Sequence, residues 1–377
     1  MSIRRWRIMK DRIFRKIFTI GWLLFIIIGL GYAQGIAQSN QTKSIHQAVD
    51  ALGRTVETPE SLRSIAIVGR AAVMPANALY LFPEAHEMQI HMAKTDQGLG
   101  DVFSVLIPEE NRTERLSQQI SIESIIAMNP DLVISKTSNY ESIQNKLDIF
   151  GIPTFFMELE SAGQWTTEIK QLGKVLGNPE RAEEIALFYQ NRERIIKDSL
   201  ASLDEEKPRV LILQVAAADT TTTFSVAPAS WIQTYMVEQA GGVPVWVTDH
   251  MLEQGWKKVS FEQIAAWNPD AIYLVSYRTQ PQPFLQEIYR NRQWTNLAAV
   301  KQNRVKAIPA DFLNYGQSDS RWILALEFIA ADLHPDAFPL FSMERQIRTF
   351  YRDLYGLDDE QTIEILIQAY RSSISKQ

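Results

Sequence analysis

Two stretches of this 377-residue chain share the same order of polar and apolar positions. Residues 121–134 read SIESIIAMNPDLVI and residues 260–273 read SFEQIAAWNPDAIY, identical at seven of fourteen positions. In each, a serine suited to cap a helix precedes an acid in the first turn, where the helix dipole favours negative charge. Asn-Pro then ends the helix, and an apolar run typical of a buried parallel strand follows. The pattern predicts two similar α/β lobes.

The remaining hydrophobic pattern predicts further elements around each repeat. A small hairpin is expected around Gly53, and segment 216–223 is expected to be a loop. The other predicted strands lie at 64–68, 87–93, 154–157, 210–213 and 304–308, and the helices at 76–82, 231–239, 294–300, 320–333 and 342–371.

One predicted helix is much longer than the others. From Asn178-Pro179, a cap with proline in the first turn, apolar residues recur at helical spacing through Leu203. A helix of about 25 residues would be roughly 37 Å long, enough to cross between two lobes as a stiff strut. The expected division is an N-terminal lobe at 45–178, a connecting helix at 179–204, a C-terminal lobe at 208–338 and a helical segment at 339–377.

Residues 1–37 have the pattern of a secretory signal. Seven basic residues and one acid occupy 1–33, around an apolar core at 17–30, and small residues follow through Ala33 and Ala37. Cleavage is expected after Ala33 or Ala37. An uncleaved membrane anchor is the alternative, although a permanent span usually needs about 20 apolar residues. We therefore expect a protein of the periplasm.

The chain beyond residue 33 is acidic and contains no cysteine. It holds 31 basic and 43 acidic residues, a net charge of −12. This balance argues against nucleic-acid binding, which depends on Lys and Arg neutralising phosphates. The absence of cysteine excludes disulfides, thiolate metal sites, cysteine nucleophiles and a lipid-modified cysteine.

Several short motifs follow one another in a fixed order. They are DALGRTV at 50–56, ESIIAMNPDLVI at 123–134, the long mid-chain helix, EQIAAWNPDAI at 262–272, WTNLAAVKQNRV at 294–305 and WILALEFIA at 322–330. Over about residues 50–338, this order and spacing resemble the periplasmic binding proteins of ABC importers for iron-siderophore complexes, haem and vitamin B12. The resemblance implies an α/β fold of two Rossmann-like lobes joined by one long helix. It also implies a ligand cleft between the lobes and no enzymatic chemistry.

The resemblance also implies a docking role for one acid in each repeat. In that family, the glutamate that begins this helix in each lobe forms a salt bridge with arginines of the membrane permease. Glu123 and Glu262 are therefore expected to dock the protein on an inner-membrane ABC permease powered by a cytoplasmic ATPase. Each acid could also simply stabilise its own helix N-terminus, and the two roles are compatible. We expect a monomer.

Ligands of open α/β sheets bind beyond the carboxyl ends of the strands, so the loops there are candidate binding segments. Aromatic side chains could stack on a flat ligand, and arginines could pair with its carboxylate, phosphate or catecholate oxygens. Taken singly, any of these side chains could instead serve packing. The candidates are Arg70, Tyr140, Trp231, Trp256, Tyr277, Arg278, Tyr315 and Arg321, with Lys136, Thr220–Thr223, Trp246 and Asn314 in the same loops.

The expected ligand is an iron chelate (siderophore or haem) or a corrinoid, with no intrinsic cofactor. A small oxyanion such as molybdate or tungstate, or a metal ion, is the alternative on the same fold. An exported enzyme or chelatase on a two-lobe scaffold is another. His86 and His91 in HEMQIH are one residue too far apart for the zinc-protease pattern, and neither a GxxxxGK nor a GxSxG motif is present. We therefore expect no catalytic and no metal site.

Overall fold

The computed structural model of the protein describes residues 45–94, 97–204, 206–218, 221–247 and 255–374. The leader expected at 1–37, whether cleaved or retained as an anchor, lies outside these ranges. Within them, no helix is both long and apolar enough to cross a membrane. The described residues from His46 onward belong to one compact unit. The lobe boundaries expected from the sequence therefore stay predictions.

The N-terminal half is built on a parallel four-stranded sheet. Strands β1 (Ile45–Val49) and β2 (Thr55–Pro59) pair around the turn at Gly53, as predicted. The four strands are β3 (Ser64–Ile67), β4 (Gln89–Met92), β5 (Leu132–Lys136) and β6 (Thr154–Met157), in the order β4-β3-β5-β6. The helices are α1 (Val73–Leu79), α2 (Phe103–Leu106), α3 (Ile122–Met128), α4 (Tyr140–Leu147) and α5 (Ala162–Leu176), with 3-10 turns at Pro83–His86, Glu109–Asn111, Thr137–Asn139 and Asp148–Phe150.

A single long helix, α6 (Pro179–Leu200), leads into the second half. Its 22 residues span roughly 33 Å, and it ends before the predicted Leu203. The Asn178 side chain caps it by accepting from the Arg181 amide at 2.9 Å. A Cβ at Gly173 of α5 would lie 2.5 Å from the Cβ of Ala182, so glycine is what lets α5 and α6 approach closely. The predicted long helix is present, and its role as a strut between lobes stays a prediction.

The C-terminal half is a mixed sheet of six strands. β7 (Arg209–Ala218), β11 (Ala271–Val275) and β12 (Val305–Ala307) are parallel neighbours, whereas β8 (Thr221–Val226) and β10 (Lys257–Val259) add antiparallel pairings and β9 (Val243–Pro244) pairs with β7. The helices are α7 (Ile232–Gln239), α8 (Phe261–Trp267), α9 (Gln282–Arg290), α10 (Ala298–Lys301), α11 (Trp322–Leu333), α12 (Met343–Tyr355) and α13 (Glu360–Ile374), with 3-10 turns at Trp294–Asn296 and Pro335–Ala337.

The repeat forms the same structure in both halves. The capping serines accept from the amides of Ser124 at 3.2 Å and Gln263 at 3.3 Å. Each helix ends at an asparagine in the left-handed region, Asn129 (φ 47°) and Asn268 (φ 40°). The buried or exposed class is identical position by position from 121 to 131 and from 260 to 270. The predicted duplicated α/β architecture is confirmed.

The secondary-structure prediction was wrong or incomplete in several places. Segment 216–223 is not simply a loop, because β7 runs to Ala218 and β8 begins at Thr221. Helix α5 was not predicted at all. Its signal was nevertheless present, because Ser161 and Gln164 form a reciprocal capping box and Trp165 and Ile169 lie on its buried side.

A buried charge cluster joins three distant segments. Arg321, just before α11, is 0% exposed. Its Nε donates to Asp311 at 3.1 Å and to the Tyr351 hydroxyl of α12 at 3.0 Å. Its Nη1 donates to Asp319 at 3.2 Å and to the Asn77 side chain of α1 at 3.0 Å. The loop after β12 is thereby bound to a helix of the N-terminal half and to the C-terminal helices.

Replacing this arginine should strongly destabilise the fold. Arg321→Met leaves the carboxylates of Asp311 and Asp319 buried without their partner, which typically costs about 3–5 kcal/mol. Urea unfolding would measure the loss. Should that variant not fold, Tyr351→Phe removes one hydroxyl and is expected to cost about 1–3 kcal/mol.

The matched control is Arg194→Met. Arg194 pairs with Asp198, and both side chains are more than 60% exposed. Exposed pairs contribute at most about 1 kcal/mol. If Arg194→Met and Arg321→Met lowered the free energy of unfolding equally, the role given to the buried cluster would be contradicted.

Candidate ligand cleft and docking residues

The loops that follow the strands of the two sheets meet in a seam, which we call the ligand cleft. The Ile232 amide of α7 donates at 2.8 Å to the carbonyl of Glu160, which lies three residues past the end of β6. The loop after β4 crosses in the other direction: the Gly98 amide donates to the Tyr277 carbonyl at 2.6 Å, and the Leu99 amide to the Phe312 carbonyl at 2.7 Å. The carboxyl ends of the strands in both halves thus border one site, as expected for an open α/β sheet.

Gly98 is needed for that crossing. Its φ of 118° lies in the region that favours glycine. A Cβ there would come within 3.1 Å of the Leu313 side chain and 3.3 Å of the Phe312 carbonyl oxygen. Any other residue would push this segment away from the C-terminal half.

Three aromatic side chains form a cluster on the C-terminal side of the cleft. The rings of Trp231 and Trp256 are 5.8 Å apart at 84°, and those of Trp256 and Tyr277 are 5.9 Å apart at 68°. All three are half-buried. The Gln233 side chain donates to the Tyr277 hydroxyl at 3.3 Å and to the Gly316 carbonyl at 2.9 Å. The cluster offers partly open aromatic surface held by polar contacts, which suits a flat or apolar ligand.

The N-terminal side of the cleft contributes a buried ion pair. The Lys136 ammonium, at the end of β5, lies 2.8 Å from the Glu160 carboxylate and also donates to the Glu158 carbonyl. The two paired side chains are only 4% and 15% exposed. Burial raises the pKa of Tyr277, and the charge of Glu160 raises it further. The hydrogen bond from the Ile232 amide to the Glu160 carbonyl places this ion pair beside the start of α7, next to Trp231 of the aromatic cluster.

A buried acid holds the turn that carries Glu160. Leu159 is in the left-handed region with φ 56°. The Glu168 carboxylate of α5 accepts from the amides of Glu158 at 2.7 Å and Leu159 at 3.2 Å. Burial raises the pKa of Glu168 to about 7, although these hydrogen bonds and Lys136 lower it. The position of Glu160 in the cleft therefore depends on Glu168.

The structure separates the eight predicted ligand residues into groups. Trp231, Trp256 and Tyr277 lie together in the cleft. Arg278 is exposed beside Tyr277. Arg70 is also exposed, but it borders a different groove, along α3 and α4.

Tyr140 has a packing role in this structure. Its ring lies 5.4 Å from that of Phe156 in an edge-on contact, and the Arg54 guanidinium lies 5.6 Å from its centre. It belongs to a small apolar cluster with Val133 and Ile143 on one face of the N-terminal sheet. Its predicted contact with ligand stays a prediction, and the structure adds that part of the ring covers the sheet.

For Tyr315 and Arg321, the predicted contact with ligand needs revision. Both are 0% exposed. The Arg321 guanidinium is held by Asp311 and Asp319. Both follow the last strand, as the sequence predicts, but this loop folds into the interior and presents neither side chain to the cleft.

Sequence reasoning missed Glu160 and Gln233. Glu160 could have been found, because it follows β6 and strand ends were the criterion used. Gln233 carries no such signal, since it lies within α7 and reaches the cleft only through the packing of that helix. Among the described residues, no group of three or more His, Cys, Asp or Glu side chains could hold a metal ion.

The two expected docking acids occupy equivalent exposed positions. Glu123 and Glu262 both lie in the first turn after a capping serine. Hydrogen bonds from their own amides, and then from Ser121 and Ser260, lower the pKa of each carboxyl group. Both acids are therefore charged at neutral pH and accessible to a partner.

The fold and the cleft define a two-lobed α/β binding protein. A model of the family described as periplasmic binding protein matches residues 113–312, more than half of the chain. The chain belongs to the periplasmic binding protein family, as its resemblance implied.

Individual relatives agree with this assignment. A vitamin B12-binding protein of Yersinia pestis (strain Pestoides F) is 23% identical over 255 residues, covering 61% of this chain and 88% of the relative. The crystal structure of a periplasmic solute binding protein from Veillonella parvula DSM 2008 has a TM-score of 0.65 at 22% identity, covering 86% of this chain and 97% of that one. The molybdate periplasmic binding protein of a Haemophilus influenzae ABC transporter, bound to molybdate, has a TM-score of 0.64 at 19% identity, covering 83% and 99%. At these identities the structural likeness shows the two-lobe fold.

Glu168 should make stability depend on pH. Its pKa rises from an ordinary 4.5 to about 7 on folding. The folded state therefore binds this proton more tightly, so the stabilisation is complete below about pH 4.5 and is lost as the pH rises through about 7. Glu168→Gln should flatten the fall in stability between pH 5 and 7.5, measured by urea unfolding.

Other buried acids also contribute to the pH dependence of stability, so the Glu168→Gln variant needs a control. Burial also raises the pKa of Asp319 to about 6 and of Glu327 to about 7, so some slope remains in the variant. Glu180→Gln, at an exposed position, should leave the wild-type slope unchanged. A wild-type slope in Glu168→Gln would contradict the assignment.

Proposed function

We propose that this protein is the periplasmic solute-binding component of an ABC importer. It captures an iron complex, either a siderophore complex or haem, or a corrinoid, in the cleft and delivers it to the membrane permease. The observation that carries the proposal is the aromatic cluster of Trp231, Trp256 and Tyr277 facing a buried ion pair across the seam of the two halves. Membership of the periplasmic binding protein family supports it.

The cleft chemistry favours a large, flat ligand with polar edges. Aromatic rings offer extensive contact surface at low conformational cost. The Gln233 side chain is fully buried and donates to the Tyr277 hydroxyl at 3.3 Å, so it orients this ring of the cluster from behind. The relative that binds vitamin B12 agrees with such a ligand.

An oxyanion fits the described cleft less well. Molybdate is bound by a protein of the same fold. An oxyanion needs free cationic or amide donors, however, and Lys136 is already paired with Glu160 at 2.8 Å. Molybdate, tungstate and free metal ions are therefore the less favoured ligand classes in this proposal.

Binding is expected with little rearrangement of the two halves. Helix α6 is rigid over 22 residues and packs against both α5 and α11. Its Arg192 forms a buried pair with Glu327 of α11 at 2.8 Å. The protein would therefore act by affinity and docking, with local movement at the cleft loops.

Removing one ring of the cluster should weaken ligand binding. Trp256→Ala should lower affinity about tenfold, equivalent to about 1.4 kcal/mol, because stacking surface is lost. Calorimetric titration with cyanocobalamin, haemin and a ferric siderophore would measure it, with molybdate titrated in parallel. Phe150→Ala removes an exposed aromatic ring outside the cleft and should leave affinity unchanged. Unchanged affinity in Trp256→Ala would remove the cluster from the binding site.

Delivery is proposed to depend on Glu123 and Glu262. Both carboxylates are exposed at matching positions of the two repeats, so basic residues of a permease could engage them together. The double variant Glu123→Arg, Glu262→Arg should abolish uptake of ligand into cells or proteoliposomes while ligand affinity stays at the wild-type value.

The control for charge reversal is Glu180→Arg. Glu180 is likewise an exposed acid in a first helical turn, that of α6, but it lies outside the repeats. This variant should transport normally. Normal uptake by the double variant would show that the two acids do not dock the protein.

A further inference from the structure

A groove of about 690 Å³ runs along α3 and α4 in the N-terminal half. It is separate from the aromatic cluster of the ligand cleft. Buried side chains of Val68, Ile125 and Ile143 form its base, and the half-buried Ile122 and Ile126 form one wall. The base and this wall of the groove are therefore apolar, while polar side chains including Gln119, Asn139 and Ser142 also line it.

Two large apolar side chains are exposed side by side at one end of this groove. Ile149 is 80% exposed and Phe150 is 56% exposed, and both line the groove. Adjacent exposed apolar residues at a concave surface indicate an interaction site, whereas isolated ones are common. The second repeat lacks this feature, because the residues that follow α9 include Asn291 and Arg292.

The rim of the groove is charged, and it includes a proposed docking residue. Glu123 lines the groove itself, as do Lys146 and Arg70. Arg70 is exposed, and within the described ranges its guanidinium makes no hydrogen bond or ion pair. A partner that engages Glu123 would therefore lie directly over the groove and meet both signs of charge.

We propose that this groove receives an apolar side chain from the periplasmic face of the permease. The inserted side chain would pack against Ile149 and Phe150, a basic neighbour would pair with Glu123, and an acidic one would pair with Arg70. The argument rests on the proposed function, because the groove is continuous with the docking surface around Glu123. It adds an apolar anchor to one of two otherwise equivalent docking points.

The test is a double variant, Ile149→Asp with Phe150→Asp, in the full chain. Proteoliposomes containing the cognate permease and its ATPase would be titrated with each binding protein, and ATP hydrolysis would be measured. The concentration needed for half-maximal stimulation should rise at least about tenfold, because a carboxylate cannot enter an apolar pocket without losing its hydration. Both residues are exposed, so urea stability and cyanocobalamin or haemin binding should match the wild type.

Two further variants make the outcome decisive. Leu340→Asp changes a leucine that is 81% exposed elsewhere on the chain, and it should behave as wild type. The milder Ile149→Ala, Phe150→Ala pair should give an intermediate effect. If the aspartate pair stimulates ATP hydrolysis like the wild type while the Glu123→Arg, Glu262→Arg variant does not, the groove assignment is wrong and the proposed function stands. If both double variants stimulate ATP hydrolysis like the wild type, the groove assignment and the proposed docking role are both wrong.

Discussion

The buried guanidinium of Arg321 is the interaction on which the rest of the arrangement depends. A charge without access to water is costly unless it is paired and hydrogen-bonded. The Nε and Nη1 groups of Arg321 meet this requirement with Asp311 and Asp319 of its own loop, and with Asn77 and Tyr351 from two other segments. Separating those segments would break buried hydrogen bonds to a charged group, so these bonds help to hold the N-terminal half and the C-terminal helices against the last loop of the C-terminal sheet. The shape of the cleft is therefore largely set by folding.

Within this frame the cleft and the docking residues have different physical characters. The cleft combines half-buried rings with a desolvated ion pair, and the position of Glu160 depends on an acid whose pKa burial raises to about 7. Glu123 and Glu262, the proposed docking acids, are exposed, and hydrogen bonding keeps the pKa of each low. Under the proposed function, ligand affinity and permease docking could thus be changed independently by substitution. This separation suits a protein that binds its ligand in one place and releases it in another.

Much of the fold could be predicted because the signals are local. Serine caps, Asn-Pro ends and apolar runs defined α3, β5, α8 and β11, and the cap at Asn178 defined the start of α6. Segment 216–223 was missed because its run of Ala, Asp and Thr residues has no hydrophobic alternation that would indicate a strand. The family itself could be recognised from the order of the motifs.

The site was less predictable, because it depends on how loops pack. Trp231, Trp256 and Tyr277 were among the predicted ligand residues, and the structure brings their rings together, but their contact with a ligand stays a prediction. Strand ends, the criterion used, could not show that Arg321 folds inward. An arginine in a loop has the same sequence pattern whether its side chain pairs with buried acids or with a ligand. Gln233 reaches the cleft from within a helix, and no sequence pattern marks it.

The central claim is that ligand binds between the two halves, against the aromatic cluster. Hydrogen–deuterium exchange on protein purified with its natural ligand, compared with the same protein after ligand removal, tests this most directly. We expect the ligand to protect backbone amides at 97–100, 229–233 and 256–278, and to leave those at 140–150 unchanged. Protection confined to 140–150, or to one half alone, would contradict the account.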